Sequence, residues 1–217
     1  RPLRINFEGA YYHVMNRGRG KERIFRDKKD FETFLGIVRE ACRSCRVDIT
    51  AYCLMSNHYH LLVHTPNANL PQFMRQINGV YTQKYNRRYH MDGTLFRGRY
   101  KAIVVQEEFY LVRVIRYIHQ NPQKAGVARK AEEYPWSSHQ DFLKGEESYW
   151  LKFSGVISRV WAEGREGQRA YREFMEQRED KDLEDFYKAK KRAFILGENH
   201  YADEISRKYI FNQRYDR

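Results

Sequence analysis

Two strand-like runs separated by only two residues constrain the fold more than any other feature of this 217-residue chain. Val47–Met55 and His58–His64 are rich in β-branched, aromatic and apolar residues, and Ser56-Asn57 between them is a tight turn, so the pair reads as a β-hairpin. Upstream, Ala10–Asn16 has strand composition and is ended by Arg17-Gly18-Arg19-Gly20. Asp30 then reads as the N-cap of a helix whose apolar stripe is Phe31, Phe34, Leu35, Val38, Ala41 and Cys42. Pro71 opens a second helix that continues to Tyr89, Asp92-Gly93 is a turn, and Thr94–Val105 contains a further strand. A third helix begins at Glu107-Glu108, runs to Asn121 and stops at Pro122. This order predicts an α+β fold, a ferredoxin-like antiparallel sheet with helices packed on it. Residues 1–145 form one domain on this reading. Residues 146–217 form a helical, charge-rich C-terminal extension, with exposed helix over residues 163–192.

Charge divides at the same place. Residues 1–145 carry 25 basic against 13 acidic side chains, and the remainder carries 15 of each. The whole formal excess of +12 therefore belongs to the first two thirds, which points to a polyanionic partner. No run approaches eighteen apolar residues and no long basic amphipathic helix is present, so a membrane partner is not expected. The first residues, Arg1-Pro2-Leu3-Arg4-Ile5, show no apolar leader segment. Three cysteines, Cys42, Cys45 and Cys53, fit a reducing compartment, so the expected location is cytoplasmic.

Chemistry concentrates in two short motifs. In Asn57-His58-Tyr59-His60-Leu61-Leu62-Val63-His64, strand alternation sends His58 and His60 to the same side, where two imidazoles can share a divalent metal. A solvent-facing strand that merely carries two histidines is the plainer alternative. A histidine-triad nucleotide hydrolase is excluded, because Leu62 stands where its third histidine belongs. A zinc site built from Cys42, Cys45, Cys53 and His58 is weak, since Cys42 falls on the apolar stripe of its helix. In Arg116-Tyr117-Ile118-His119-Gln120-Asn121-Pro122, Tyr117 and Asn121 share one helical face. A tyrosine there can act as a nucleophile and the amide can ligate a hard metal ion. A packed tyrosine with Asn121 as a C-cap explains that motif equally well when it stands alone. His119 faces another side of the helix.

Taken together, the blocks Tyr12–Gly18, Met55–Leu62, Gly93–Tyr100, Tyr117–Pro122, Ala125-Gly126 and Tyr134–Ser138 resemble the single-tyrosine HUH transposases, in particular their REP-associated tyrosine transposase branch in bacteria. The resemblance covers residues 10–140, with the blocks in family order. It implies that His58, His60 and Asn121 bind the metal, Mg²⁺ or Mn²⁺, and that Tyr117 is the nucleophile. It implies cleavage and rejoining of single-stranded, hairpin-bearing DNA through a 5′-phosphotyrosine, without ATP, by a nucleoid-associated protein. The relatives are monomers or homodimers, and longer ones carry C-terminal extensions that can lead into a helix-turn-helix, for which Ala202–Ile205 would suit. For substrate grip, Arg87, Arg88, Arg97, Arg99 and Lys101 are interleaved with Tyr85, Tyr89, Phe96 and Tyr100, a composition that holds phosphates and stacks unpaired bases. Arg97 and Arg99 are expected on a strand edge. The loop with Asn16, Arg17 and Arg19 is a second DNA-binding candidate, because the resemblance implies recognition of a short tetranucleotide beside the hairpin there. The alternative is a DNA or RNA hairpin-binding protein on the same scaffold that does not cut.

Overall fold

The computed structural model describes residues 5–177, 181–189 and 194–211. Strands β1 (Ala10–Arg17), β2 (Asp48–Met55), β3 (His58–Thr65) and β4 (Lys101–Val105) form an antiparallel sheet in the order β2-β3-β1-β4. Helix α1 (Lys28–Cys45) joins β1 to β2 past β3, and α2 (Leu70–Tyr89) joins β3 to β4 past β1. This is the ferredoxin-like arrangement anticipated from the sequence. A two-residue strand, β5 (Ile195–Leu196), adds to β4 in parallel, so the complete sheet is mixed. A strand that short carries no alternation by which to recognise it.

Alternation along the strands assigns the two faces. Tyr59 points toward α1 and α2, where it meets Phe34, and Phe34 in turn meets Tyr81. The residues paired alongside it, Val14 with Leu61 and Tyr12 with Val63, continue this buried layer. The opposite face, carrying His13, Met15, His58 and His60, is crossed by α3 (Phe109–Lys124).

Three boundaries differ from expectation for physical reasons. The N-cap of α1 is Asp27, whose side chain accepts from the Asp30 amide, while the Asp30 carboxylate is buried in tertiary contacts. Helix α3 does not stop at Pro122 but carries it in its last turn, where a missing N–H costs one hydrogen bond and the Ala125 amide still reaches Asn121. Asn121 is therefore helical rather than a C-cap. The strand in Thr94–Val105 is confined to its last five residues, so Arg97 and Arg99 lie in a loop.

After α3 the chain covers both edges of the sheet. Trp136 accepts from the Leu54 amide at 2.8 Å, and Trp150 from the Ile49 amide at 2.8 Å, along the outer edge of β2. Helices α4 (His139–Lys144), α5 (Ser154–Val160), α6 (Gly164–Glu176), α7 (Lys181–Lys188) and α8 (Asn199–Ser206) follow. Residues 163–192 are not wholly exposed: Tyr171, Phe174 and Leu183 are buried in the common core, while residues 178–180 and 190–192 of that stretch lie outside the described residues. Ala202–Ile205 falls within α8. No helix among the described residues is long and apolar enough to cross a membrane.

Candidate functional site

The same alternation that buries Tyr59 places His58 and His60 side by side on the α3 face, their ring centroids 5.1 Å apart. Helix α3 sets the Tyr117 ring 5.9 Å from His60, with Asn121 one turn further on. All four line one cavity of about 580 Å³. Neither motif reveals this proximity alone; the crossing of α3 over the sheet creates it.

Hydrogen bonds occupy one polar atom of each prospective ligand and leave another. His58 Nδ1 lies 2.6 Å from Asn57 Oδ1, which only accepts, so Nδ1 carries the proton and Nε2 keeps its lone pair. His60 Nδ1 lies 2.9 Å from Nε2 of His13, a buried histidine on β1. Asn121 donates its Nδ2 to the Tyr117 carbonyl at 2.7 Å, which leaves Oδ1. Burial pulls His58 down to about 4 and His60 well below the ordinary imidazole value, so both are neutral at neutral pH. Neutral imidazole is the form that ligates.

Two nitrogens and one amide oxygen suit a divalent ion that accepts mixed donors, Mg²⁺ and Mn²⁺ among them. Among the described residues no three His, Cys, Asp or Glu side chains cluster as a metal site; the amide of Asn121 lines the same cavity as the two imidazoles. The cysteine alternative has no support in placement: Cys42, Cys45 and Cys53 are buried and free, and among the described residues they form no cluster of three donors with a histidine.

The Tyr117 phenol is raised by burial and by the Glu184 carboxylate, against a lowering by Arg17. Its ring is covered by Tyr187 from α7, stacked at 4.2 Å, and the Tyr187 hydroxyl lies 2.5 Å from Nδ1 of His13. His13 and Tyr187 have no counterpart in the sequence reasoning. His13 stands within a motif block but far from the other histidines, and Tyr187, one of the chain's 17 tyrosines, falls in a stretch of charge alternation. His119 is elsewhere: it is fully buried between Tyr171 and Ser138, 2.7 and 2.8 Å away.

The cationic rim is assembled by backbone stitching. The Gly18 amide reaches Asn57, the Arg19 amide reaches Leu95 at 3.0 Å, and the Arg97 amide reaches Arg17 at 2.9 Å. Gly18 has no substitute here, because a Cβ would sit 2.2 Å from the Glu22 carbonyl oxygen. Asn16, Arg17, Arg97, Arg99 and Lys101 consequently line the cavity. Arg19 is exposed nearby without lining it, and Arg87 is exposed on the last turn of α2. Arg88 is placed differently: its guanidinium holds Asp27 at 2.5 Å and Asp30 at 2.6 Å, so it joins α2 to α1 and does not line the cavity.

Comparison with known proteins gives three findings. The profile of the family described as "Transposase IS200 like" matches residues 6–121. A Haemophilus influenzae protein named as a REP-associated tyrosine transposase is 23% identical over 124 residues, spanning 52% of this chain and 70% of its own. A solved structure of a REP-associated tyrosine transposase bound to a REP hairpin shares the fold, with a TM-score of 0.55 at 15% identity over 70% of this chain and 89% of that one.

Proposed function

Since the chain belongs to the family of IS200-like transposases, we propose that it cleaves and rejoins single-stranded, hairpin-bearing DNA, with Tyr117 as nucleophile and His58, His60 and Asn121 as ligands of a divalent metal. The observation that carries this reading is the convergence of those four side chains on one cavity, each prospective ligand with a second polar atom not taken up by its protein partner.

A Mg²⁺ or Mn²⁺ ion held there would polarise a phosphoryl oxygen of the scissile phosphodiester. The protein's own residues do the rest. Arg17, Arg97, Arg99 and Lys101 bring the strand's phosphates to the rim, and Arg17 also favours the phenolate of Tyr117. The Tyr117 phenol gives up its proton as its oxygen attacks phosphorus and the bond to the 3′ oxygen breaks; the upstream strand leaves with that oxygen protonated as a free 3′-OH, while the downstream strand stays joined to the tyrosine through its 5′ phosphate. Attack by a 3′-OH reverses the step, because the phosphotyrosine conserves the bond energy without ATP. The REP hairpin bound by the solved relative supports a structured end on the substrate.

The test is a denaturing gel with labelled single-stranded hairpins from the native genome, with Mg²⁺, with Mn²⁺ and with chelator. An SDS-resistant adduct is expected from wild type with metal, and none from wild type with chelator or from Tyr117→Phe, whose hairpin affinity stays within about twofold of wild type. An adduct that survives Tyr117→Phe overturns the assignment. Tight hairpin binding with no adduct from any form points to the non-cutting binder.

A further inference from the structure

Fully buried histidines need a reason, since an imidazole nitrogen without a partner is costly in a core. His13 has no exposed surface, and both of its ring nitrogens are engaged: Nε2 with His60 Nδ1 at 2.9 Å and Nδ1 with the Tyr187 hydroxyl at 2.5 Å. One proton is shared across the 2.9 Å pair, so one ring donates and the other accepts. If His13 donated, the proton of His60 would sit on Nε2 and block the atom that faces the cavity. If His13 accepts, His60 presents a bare Nε2, and His13 passes its own Nδ1–H to the Tyr187 oxygen.

The surroundings choose between the two. The cavity is rimmed by Arg17, Arg97, Arg99 and Lys101. Their positive field disfavours an N–H dipole aimed into the cavity and favours a lone pair there. We infer that His13 is a positioning residue: by accepting the proton of His60 Nδ1 it fixes the tautomer and ring orientation in which His60 Nε2 is available to a divalent cation, with Tyr187 holding the far side of His13. This rests on the metal site proposed above and extends it to a residue that touches neither metal nor DNA.

The experiment measures Mn²⁺ affinity of the full chain by titration, followed by electron paramagnetic resonance, for wild type, His60→Ala, His13→Leu and His13→Gln. A ligand-orienting partner of this kind is worth roughly 10–100-fold in metal affinity. His13→Leu fills the volume without accepting a hydrogen bond, and weakening in that range is expected. His13→Gln can place a carbonyl oxygen where Nε2 stood and is expected to recover most of the affinity, which a merely space-filling role would not require. If His60→Ala weakens binding and His13→Leu does not, the positioning role is overturned and the metal site stands. If His60→Ala binds as wild type does, the metal site falls and this inference falls with it. Imidazole ¹⁵N shifts of the metal-free wild type add a readout independent of any variant's folding. Protons on Nδ1 of both His13 and His60 are expected, and a proton on Nε2 of His13 overturns the inference.

Discussion

Five imidazoles held largely away from water give this chain an unusual response to acid. Burial depresses His13 to about 3 and His58 and His139 to about 4, and it lowers His60 and His119 well below the ordinary value. In the unfolded chain each titrates near 6.5. Between these values the unfolded state binds the proton and the folded state does not, so stability is fully present above about pH 6.5 and is lost as pH falls. For His139, which is remote from the proposed metal ligands and bonded to Tyr171 at 2.5 Å, the loss between pH 7 and pH 5 is about 2 kcal/mol. Urea unfolding at both pH values checks this: wild type is expected to lose stability steeply, and His139→Gln to lose about 2 kcal/mol less. Equal slopes would show that the folded imidazole is protonated. At this scale, His58, His60, Tyr117 and Asn121 were legible because fixed spacing on a strand or helix puts each pair on one face. His13 and Tyr187 were not, since their place depends on contacts between elements 47 and 174 residues apart in sequence.

Elements were legible where an apolar period or a tight turn marks them, as in the β2–β3 hairpin and the stripe of α1. They are harder to place where one side chain serves two needs. Asp30 has the chemistry of an N-cap, but its carboxylate accepts from the Arg26 amide, the Tyr89 hydroxyl and the Arg88 guanidinium, each at 2.6–2.8 Å. It thereby fastens the start of α1 to the end of α2, and Asp27 caps instead. Arg88 resembles a phosphate contact for the same reason, because sequence shows a charge but not its partner. Replacing the buried Asp30 with Ala strands these donors and is expected to cost roughly 3 kcal/mol of stability. Thermal unfolding together with hairpin binding well below the transition checks the assignment. A large drop in melting temperature with unchanged affinity is expected, and lost affinity in the folded variant would place this cluster in the DNA interface.

Over the whole molecule, charge and architecture separate in the same way. The formal excess of +12 resides in residues 1–145, and the balanced remainder seals the sheet edges through Trp150 and β5, with Trp136 just before it. Those sealing contacts are isolated bridges of two backbone bonds each and a two-residue strand, too brief to leave a pattern in sequence, which is why the extension reads as exposed helix. On the proposed function, hairpin affinity is expected to be driven by counterion release at the rim where exposed cations gather, and not by the summed charge of the chain. On single strands each phosphate contact contributes about 0.7 to the slope of log affinity against log salt. Replacing Arg97 and Arg99 together with alanine is expected to reduce that slope by about 1.4 while leaving the fold intact, since both side chains are exposed in a loop. Removing two cations from the balanced extension, Arg165 and Arg169, is expected to leave the slope unchanged although the net charge falls equally. Fluorescence anisotropy with a labelled hairpin from roughly 50 to 300 mM salt, the range in which such slopes are read, distinguishes the two. Equal losses from both pairs would mean that DNA senses the chain's overall charge and that the rim around His58, His60 and Tyr117 is not where its phosphates lie.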